Sequence, residues 1–350
     1  MSDSRSYRVI IIGGGIIGLT TACTLLKEYA SADKLQLTII SETLSPETTG
    51  DVSAGLEDNY IQPRGVITTL IRSDTRTILL TINMIHSIVK FHSTKNNTFY
   101  PLIIFHDINL TSVMRQYILS CTIKNNTKMN ISFALANFQT SSQPANESRL
   151  AKTIGYRIMC QFWTYDIFYH PAITEGHYDY LMRMDADSYF SDVTKKDLFV
   201  YIHRQKFDYI YRAEYWEPIT PMVPVLEHFL YDTSDVSSCI YNNFFIIRLK
   251  WFYESKRVQT FIQELIRDDL MIREYIGDGC AHAAMLKIDN QVRVKQITDI
   301  SYGHNYHIMP RGQGTTFVDV KGFDEEIKKS CQQLTVLRNR KGTLTRISIS

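Results

Sequence analysis

The feature that most restricts this chain is a short apolar stretch that ends in two carboxylates. Tyr180–Met184 reads as a buried strand, and Asp185-Ala186-Asp187 follows it directly. Side chains two positions apart at a strand end project to the same side. Both carboxylates therefore meet at the carboxyl edge of a sheet, where open α/β folds bind their ligands. Two hard oxygen donors there suit a divalent cation that bridges and neutralises a diphosphate. An Asp-x-Asp alone is often a solvated turn; one that follows an aromatic-rich strand in an alternating chain points to chemistry. The alternation is explicit upstream. Residues 66–71 read as a strand, Thr75–Phe91 as an amphipathic helix, and Leu102–His106 as a strand ending at Asp107, which predicts an α/β fold with a parallel sheet. Residues 124–148 are crowded with Asn, Thr and Ser and read as a surface loop.

The bulk properties exclude more than they select. The 350 residues allow one large domain or two smaller ones. A formal net charge of +2 gives no electrostatic preference for nucleic acid. The 21 tyrosines and 17 phenylalanines suit either sugar stacking or plain core packing. None of the six cysteines falls in a zinc-binding spacing. Asn-x-Ser/Thr sequons at Asn96, Asn109, Asn125, Asn130 and Asn146 fit a glycosylated, lumenal surface, or simply a segment rich in Asn and Thr.

The amino-terminal segment is a different unit. Tyr7–Ile12 reads as a strand, a turn containing Gly13, Gly15 and Gly18 follows, then a helix over about 17–29 and a strand Leu35–Ile40 before Glu42. Glycines here permit a tight turn and close approach to a pyrophosphate at a helix N-terminus, and an acidic side chain after the second strand suits a ribose hydroxyl. The uncharged run 9–26 has the length of a signal anchor, but the glycine pattern explains it better. Residues 7–56 resemble the FAD-binding start of D-amino-acid and D-aspartate oxidases, Ser45-Pro46-Glu47-Thr48-Thr49-Gly50 included. The resemblance implies a flavin site, and an oxidoreductase as the alternative function. It stops near residue 56, and a piece this short cannot enclose a flavin, so it reads as a fragment: a fusion, a relic or a gene-model join.

A longer resemblance begins near residue 63. Tyr156-Arg157-Ile158-Met159-Cys160-Gln161-Phe162, then Tyr169-His170-Pro171, then Arg183-Met184-Asp185-Ala186-Asp187 are similar, in order and spacing, to blocks of glycosyltransferase family 15, the fungal-type Golgi α-1,2-mannosyltransferases. Ile67 to Ser73, Glu217-Pro218-Ile219-Thr220-Pro221, Asn242-Asn243-Phe244-Phe245-Ile246, Gly277-Asp278-Gly279-Cys280-Ala281-His282 and Ile300-Ser301-Tyr302-Gly303-His304 extend it to about residue 310.

The resemblance implies a GT-A-like mixed sheet flanked by helices over 61–325, with the truncated Rossmann-type βαβ unit over 1–60 before it and a tail over 326–350 after it. It implies transfer of mannose from GDP-mannose to a mannosylated glycan with retention, dependent on Mn2+. Asp185, Asp187 and His282 would hold the metal, and Arg72 with the two aspartates the donor. Tyr156, Glu214, Glu217 and Asp278 are the catalytic candidates. It also implies residence in the Golgi with membrane association; a genuine amino-terminal unit without a signal would instead be cytoplasmic. Two departures bear on activity. Phe245 stands where the family has a glutamate, and a phenyl ring can neither attack an anomeric carbon nor stabilise an oxocarbenium ion. Gln161 replaces the family's arginine.

Overall fold

The computed structural model describes residues 7–12, 35–40, 62–92, 99–122, 129–141, 152–236, 238–313, 318–319, 322–331, 333–338 and 343–348. The chain divides into two units, Met1–Ile61 and Gln62–Ser350. In the first, β1 (Tyr7–Ile12) and β2 (Leu35–Ile40) pair in parallel, Tyr7 opposite Leu35. Gly13, Gly15, Gly18 and Glu42 lie outside the described residues.

The second unit is built on a seven-stranded sheet. Its strands are β3 (Gly65–Ile71), β4 (Leu102–His106), β5 (Ile131–Leu135), β6 (Tyr180–Met184), β8 (Tyr209–Tyr211), β11 (Phe244–Arg248) and β12 (Val294–Gln296), in the order β12-β8-β11-β6-β3-β4-β5. Only β11 runs antiparallel to its neighbours. The expected mixed α/β architecture is present. The central strands are buried on both faces, which explains runs that are apolar except for Thr68, Thr69, Arg183 and the terminal His106 and Arg248.

Strand β5 falls inside the segment expected to be a loop. Ile131, Phe133 and Leu135 alternate with Ser132 and Ala134, but the strand lies at the sheet edge and is mostly half-exposed. The polar flanks hid this weak period. Helix α1 (Thr75–Phe91) starts where Asp74 accepts a hydrogen bond from the Thr77 amide at 2.9 Å, and it buries Ile78, Ile82, Ile85 and Ile88 on one sheet face. The other face carries α2 (Ile154–Gln161), a π-helical turn (Phe162–Asp166), α3 (Lys256–Ile266) and α4 (Asp278–Ile288).

A smaller antiparallel sheet stands beside the carboxyl end of β6, in the order β15-β14-β13-β7: β7 (Ser188–Phe190), β13 (Tyr302–His304), β14 (His307–Met309), β15 (Val318–Asp319). A two-stranded ladder joins β9 (Glu214–Tyr215) to β10 (Cys239–Ile240), and a disulfide ties Cys239 to Cys280 in the first turn of α4. Within 326–350, Cys331 is bonded to Cys121, and β16 (Gln333–Arg338) pairs with β17 (Thr343–Ser348). No helix among the described residues is long and apolar enough to cross a membrane.

Candidate active site

The turn after β6 is the centre of the site. The Asp185 amide donates to the Asn243 carbonyl at 3.0 Å, and the Ser188 amide closes a tight turn onto the Asp185 carbonyl at 2.9 Å. The chain then enters β7, whose partner β13 places His304 opposite Ser188. The Asn305 amide donates to the Asp187 carbonyl at 2.7 Å, pinning the β13–β14 hairpin to the same turn.

His304 Nε2 consequently stands 3.1 Å from Asp187 and 4.0 Å from Asp185. The three side chains present one potential ligand atom each, all within 4.8 Å of one another. The other ring nitrogen, Nδ1, is 2.9 Å from the Tyr241 hydroxyl, which fixes the ring orientation. Burial works against protonation of His304, but Asp187 and Asp185 outweigh it and raise its pKa. Burial would likewise raise Asp187, but the His304 beside it holds the carboxyl below its ordinary value. Asp185 goes the other way: burial keeps it raised despite Arg183.

Arg183 organises the floor beneath. It is almost fully buried, with Nε 2.8 Å from Asp185, a second ion pair to Asp278, and its guanidinium 4.1 Å from the centre of the Trp163 ring. Asn242 also donates to Asp278, at 2.8 Å. Burial opposes ionisation of Asp278, but Arg183 prevails and its carboxyl stays below the ordinary range. A buried arginine between two carboxylates is compensated only while both partners remain.

His282 does not join Asp185 and Asp187. It lies fully buried on α4, with Nδ1 2.8 Å from the Tyr209 hydroxyl and Nε2 3.1 Å from the Trp163 carbonyl. Burial pushes its pKa down to about 4. The arrangement brings His304 to the position that the sequence reading gave His282, because both His282 nitrogens are already committed inside the core. The signal for His304 lies in the block Ile300 to His304, whose last residue pairs with Ser188 beside the turn.

The remaining candidates separate. Glu217 is half-buried, accepting hydrogen bonds from Tyr215 at 2.7 Å and Tyr275 at 2.8 Å. Tyr156 is partly exposed, its ring 6.0 Å from that of Tyr275. Burial, with Cys160, Asp278 and Glu217 nearby, raises the Tyr156 hydroxyl and keeps it neutral. Glu214 points elsewhere, bonded by Tyr211 and by Ser238 at 3.1 Å. Arg72 follows β3 on the same sheet edge as Asp185, but its side chain is 82% exposed and pairs with Asp74. Phe245 is fully buried, stacked on Tyr209 at 5.3 Å with His282 at 4.8 Å.

No protein-family model matches the chain. Its fold is that of solved glycosyltransferases. Core-mannan synthase A (CmsA/Ktr4) from Aspergillus fumigatus, in an Mn/GDP form, aligns with a TM-score of 0.58 at 15% identity, over 78% of this chain and 84% of its own. The mannosyltransferase Ktr4p from S. cerevisiae gives 0.59 at 16% identity, over 71% and 72% respectively. Its complex with GDP gives 0.58 over the same shares.

Proposed function

We propose that this chain is a divalent-metal-dependent glycosyltransferase that moves mannose from GDP-mannose to a mannosylated glycan. The observation that carries the reading is the Asp185–Asp187–His304 cluster at the carboxyl end of β6, in a fold shared with enzymes solved with GDP. The two carboxylates suit manganese, and the imidazole suits it less well than an oxygen would but completes a set that can hold a divalent cation. A divalent cation held there would neutralise the leaving diphosphate, the main electrostatic contribution such a reaction needs.

The chain's own residues set the conditions for this. Arg183 fixes the Asp185 carboxylate from below, and Tyr241 turns His304 Nε2 toward both aspartates. Tyr215 and Tyr275 hold the Glu217 carboxylate ready for a sugar hydroxyl. Among the four catalytic candidates the reading favours Glu217, since Asp278 pairs with Arg183 and Asn242 and Glu214 accepts from Tyr211 and Ser238, whereas Glu217 is held by two tyrosine hydroxyls. Two disulfides support residence in an oxidising lumen such as the Golgi.

The test is transfer of mannose from GDP-mannose with and without Mn2+. Turnover that survives Asp185→Ala together with Asp187→Ala would remove the reading. Phe245 favours a second one, in which the chain binds the sugar nucleotide without transferring it. That version expects calorimetric binding of GDP-mannose, no product, and transfer gained by Phe245→Glu.

A further inference from the structure

The histidine of the metal cluster is carried on a hairpin with short ladders. β13 meets β7 over three residues, and β14 meets the two-residue β15 on its other side. Pairings this short are marginal by themselves, and they let a hairpin pivot about its paired edge. His304 would swing with any such pivot, and its Nε2 has to stay beside two aspartates. The base of the hairpin is fixed by Arg212, which directly follows β8 and is fully buried. Its Nε donates to the Ile300 carbonyl at 3.3 Å, just ahead of β13. Its Nη2 donates to the carbonyls of Met309 at 3.3 Å, Pro310 at 2.9 Å and Gln313 at 2.8 Å, at and beyond the end of β14. One guanidinium thus grips both legs of the hairpin.

The residues on either side of Arg212 serve the same end. The Tyr211 carbonyl accepts from the Ile297 amide at 2.8 Å, and the Ala213 carbonyl accepts from the Tyr241 amide at 2.8 Å. Tyr241 is the residue whose hydroxyl orients the His304 ring. The end of β8 therefore sets both the hairpin that brings the imidazole and the phenol that turns it. At the tip, the Asn305 amide is bonded to the Asp187 carbonyl, so the hairpin is held to the aspartate turn at one end and to Arg212 at the other. A side chain that only filled this volume would not need a charge, because burying one is costly. What the guanidinium adds is a planar fork of five N–H donors, which can bind carbonyls arriving from two strands at once. A lysine presents three donors from one point on a flexible stem.

We propose that Arg212 is a positioning residue for the metal site: it sets the base of the β13–β14 hairpin and so holds His304 beside Asp185 and Asp187. The inference rests on the metal cluster of the proposed function, and its test needs no transfer reaction. Mn2+ alone is titrated into the parent chain and into Arg212→Gln, Arg212→Lys and His304→Ala, with free ion followed by electron paramagnetic resonance and folding by circular dichroism. Pulsed resonance of the bound ion then reads whether an imidazole nitrogen is coupled to it. The parent chain should show the nitrogen signal, and His304→Ala should lack it. Folded Arg212→Gln should bind Mn2+ about tenfold more weakly and lose most of that signal, with Arg212→Lys in between. Damage to the core without a positioning role would weaken binding and leave the nitrogen signal of the bound ion intact. That result overturns the proposal, as does unchanged affinity in a folded variant. Failure of both Arg212 variants to fold also overturns it, since Arg212 would then be a structural residue. A parent chain that binds no Mn2+, or binds it without the nitrogen signal, removes the metal cluster itself and the proposal with it.

Discussion

Two histidines twenty-two positions apart mark two regions with opposite electrostatic designs. His282 is fully buried with both ring nitrogens bonded to the protein, and burial keeps its imidazole neutral. Around His304 the surroundings are two carboxylates at a turn, and the imidazole is pulled toward its charged form. The residue type is the same. What differs is whether the neighbours have already satisfied the ring or leave a nitrogen facing anions. The first arrangement stabilises a core; the second can exchange a proton for a cation. Arg183 lies between them, paired to the cluster through Asp185 and to the floor through Asp278.

The sharpest way to break this contrast is at the cluster. Asp187→Ala, or His304→Ala, should lower mannose transfer at least about a hundredfold while the melting temperature stays close to that of the parent chain; equal loss of stability and activity would mean the cluster is structural. On the floor, Asp278→Ala should destabilise the fold by about 3 kcal/mol in urea titration, because it removes one of the two carboxylates paired with the buried Arg183. A loss below 1 kcal/mol would show that water reaches Arg183.

The pH dependence separates the two histidines directly. His282 titrates at about 4 when folded and near 6.5 when unfolded, so below 6.5 the unfolded chain takes up a proton that the folded one refuses. The stability His282 contributes should therefore fall as pH drops from about 6.5 to about 4, by about 3 kcal/mol, beside a similar loss from the buried His92. His282→Gln should lessen that slope, leaving the share of His92; a slope unchanged by the substitution would place its origin elsewhere. The smallest effect belongs to the exposed Arg72, where Arg72→Ala should change stability by no more than about 0.5 kcal/mol. Any role it has should appear only in the KM for the donor.

Much of the architecture was legible because it rests on local pattern. The apolar runs at 66–71 and Leu102–His106, and the helical period of Thr75–Phe91, appear where the sequence puts them. Ile131–Leu135 did not, since an edge strand needs only a weak apolar face and its flanks are polar. The Cys121–Cys331 disulfide, spanning 210 residues, has no local signal in the sequence.

The site divides along the same line. The two carboxylates of Asp185 and Asp187 at a strand end follow from local pattern alone, since their geometry depends only on the two-residue strand period and the turn that follows. The sequence also placed Glu217, Asp278 and His304 in recognisable blocks. Which histidine would stand beside those carboxylates was decided only by the tertiary structure. His282 and His304 are both remote in sequence from Asp187, and nothing local ranks them. The pairing of β7 with β13 carries one imidazole to the turn, while the packing of α4 against Tyr209 and Trp163 consumes the other. Metal-binding capacity follows from which ring nitrogens remain after the fold has taken its own hydrogen bonds, and that is a property of long-range contacts.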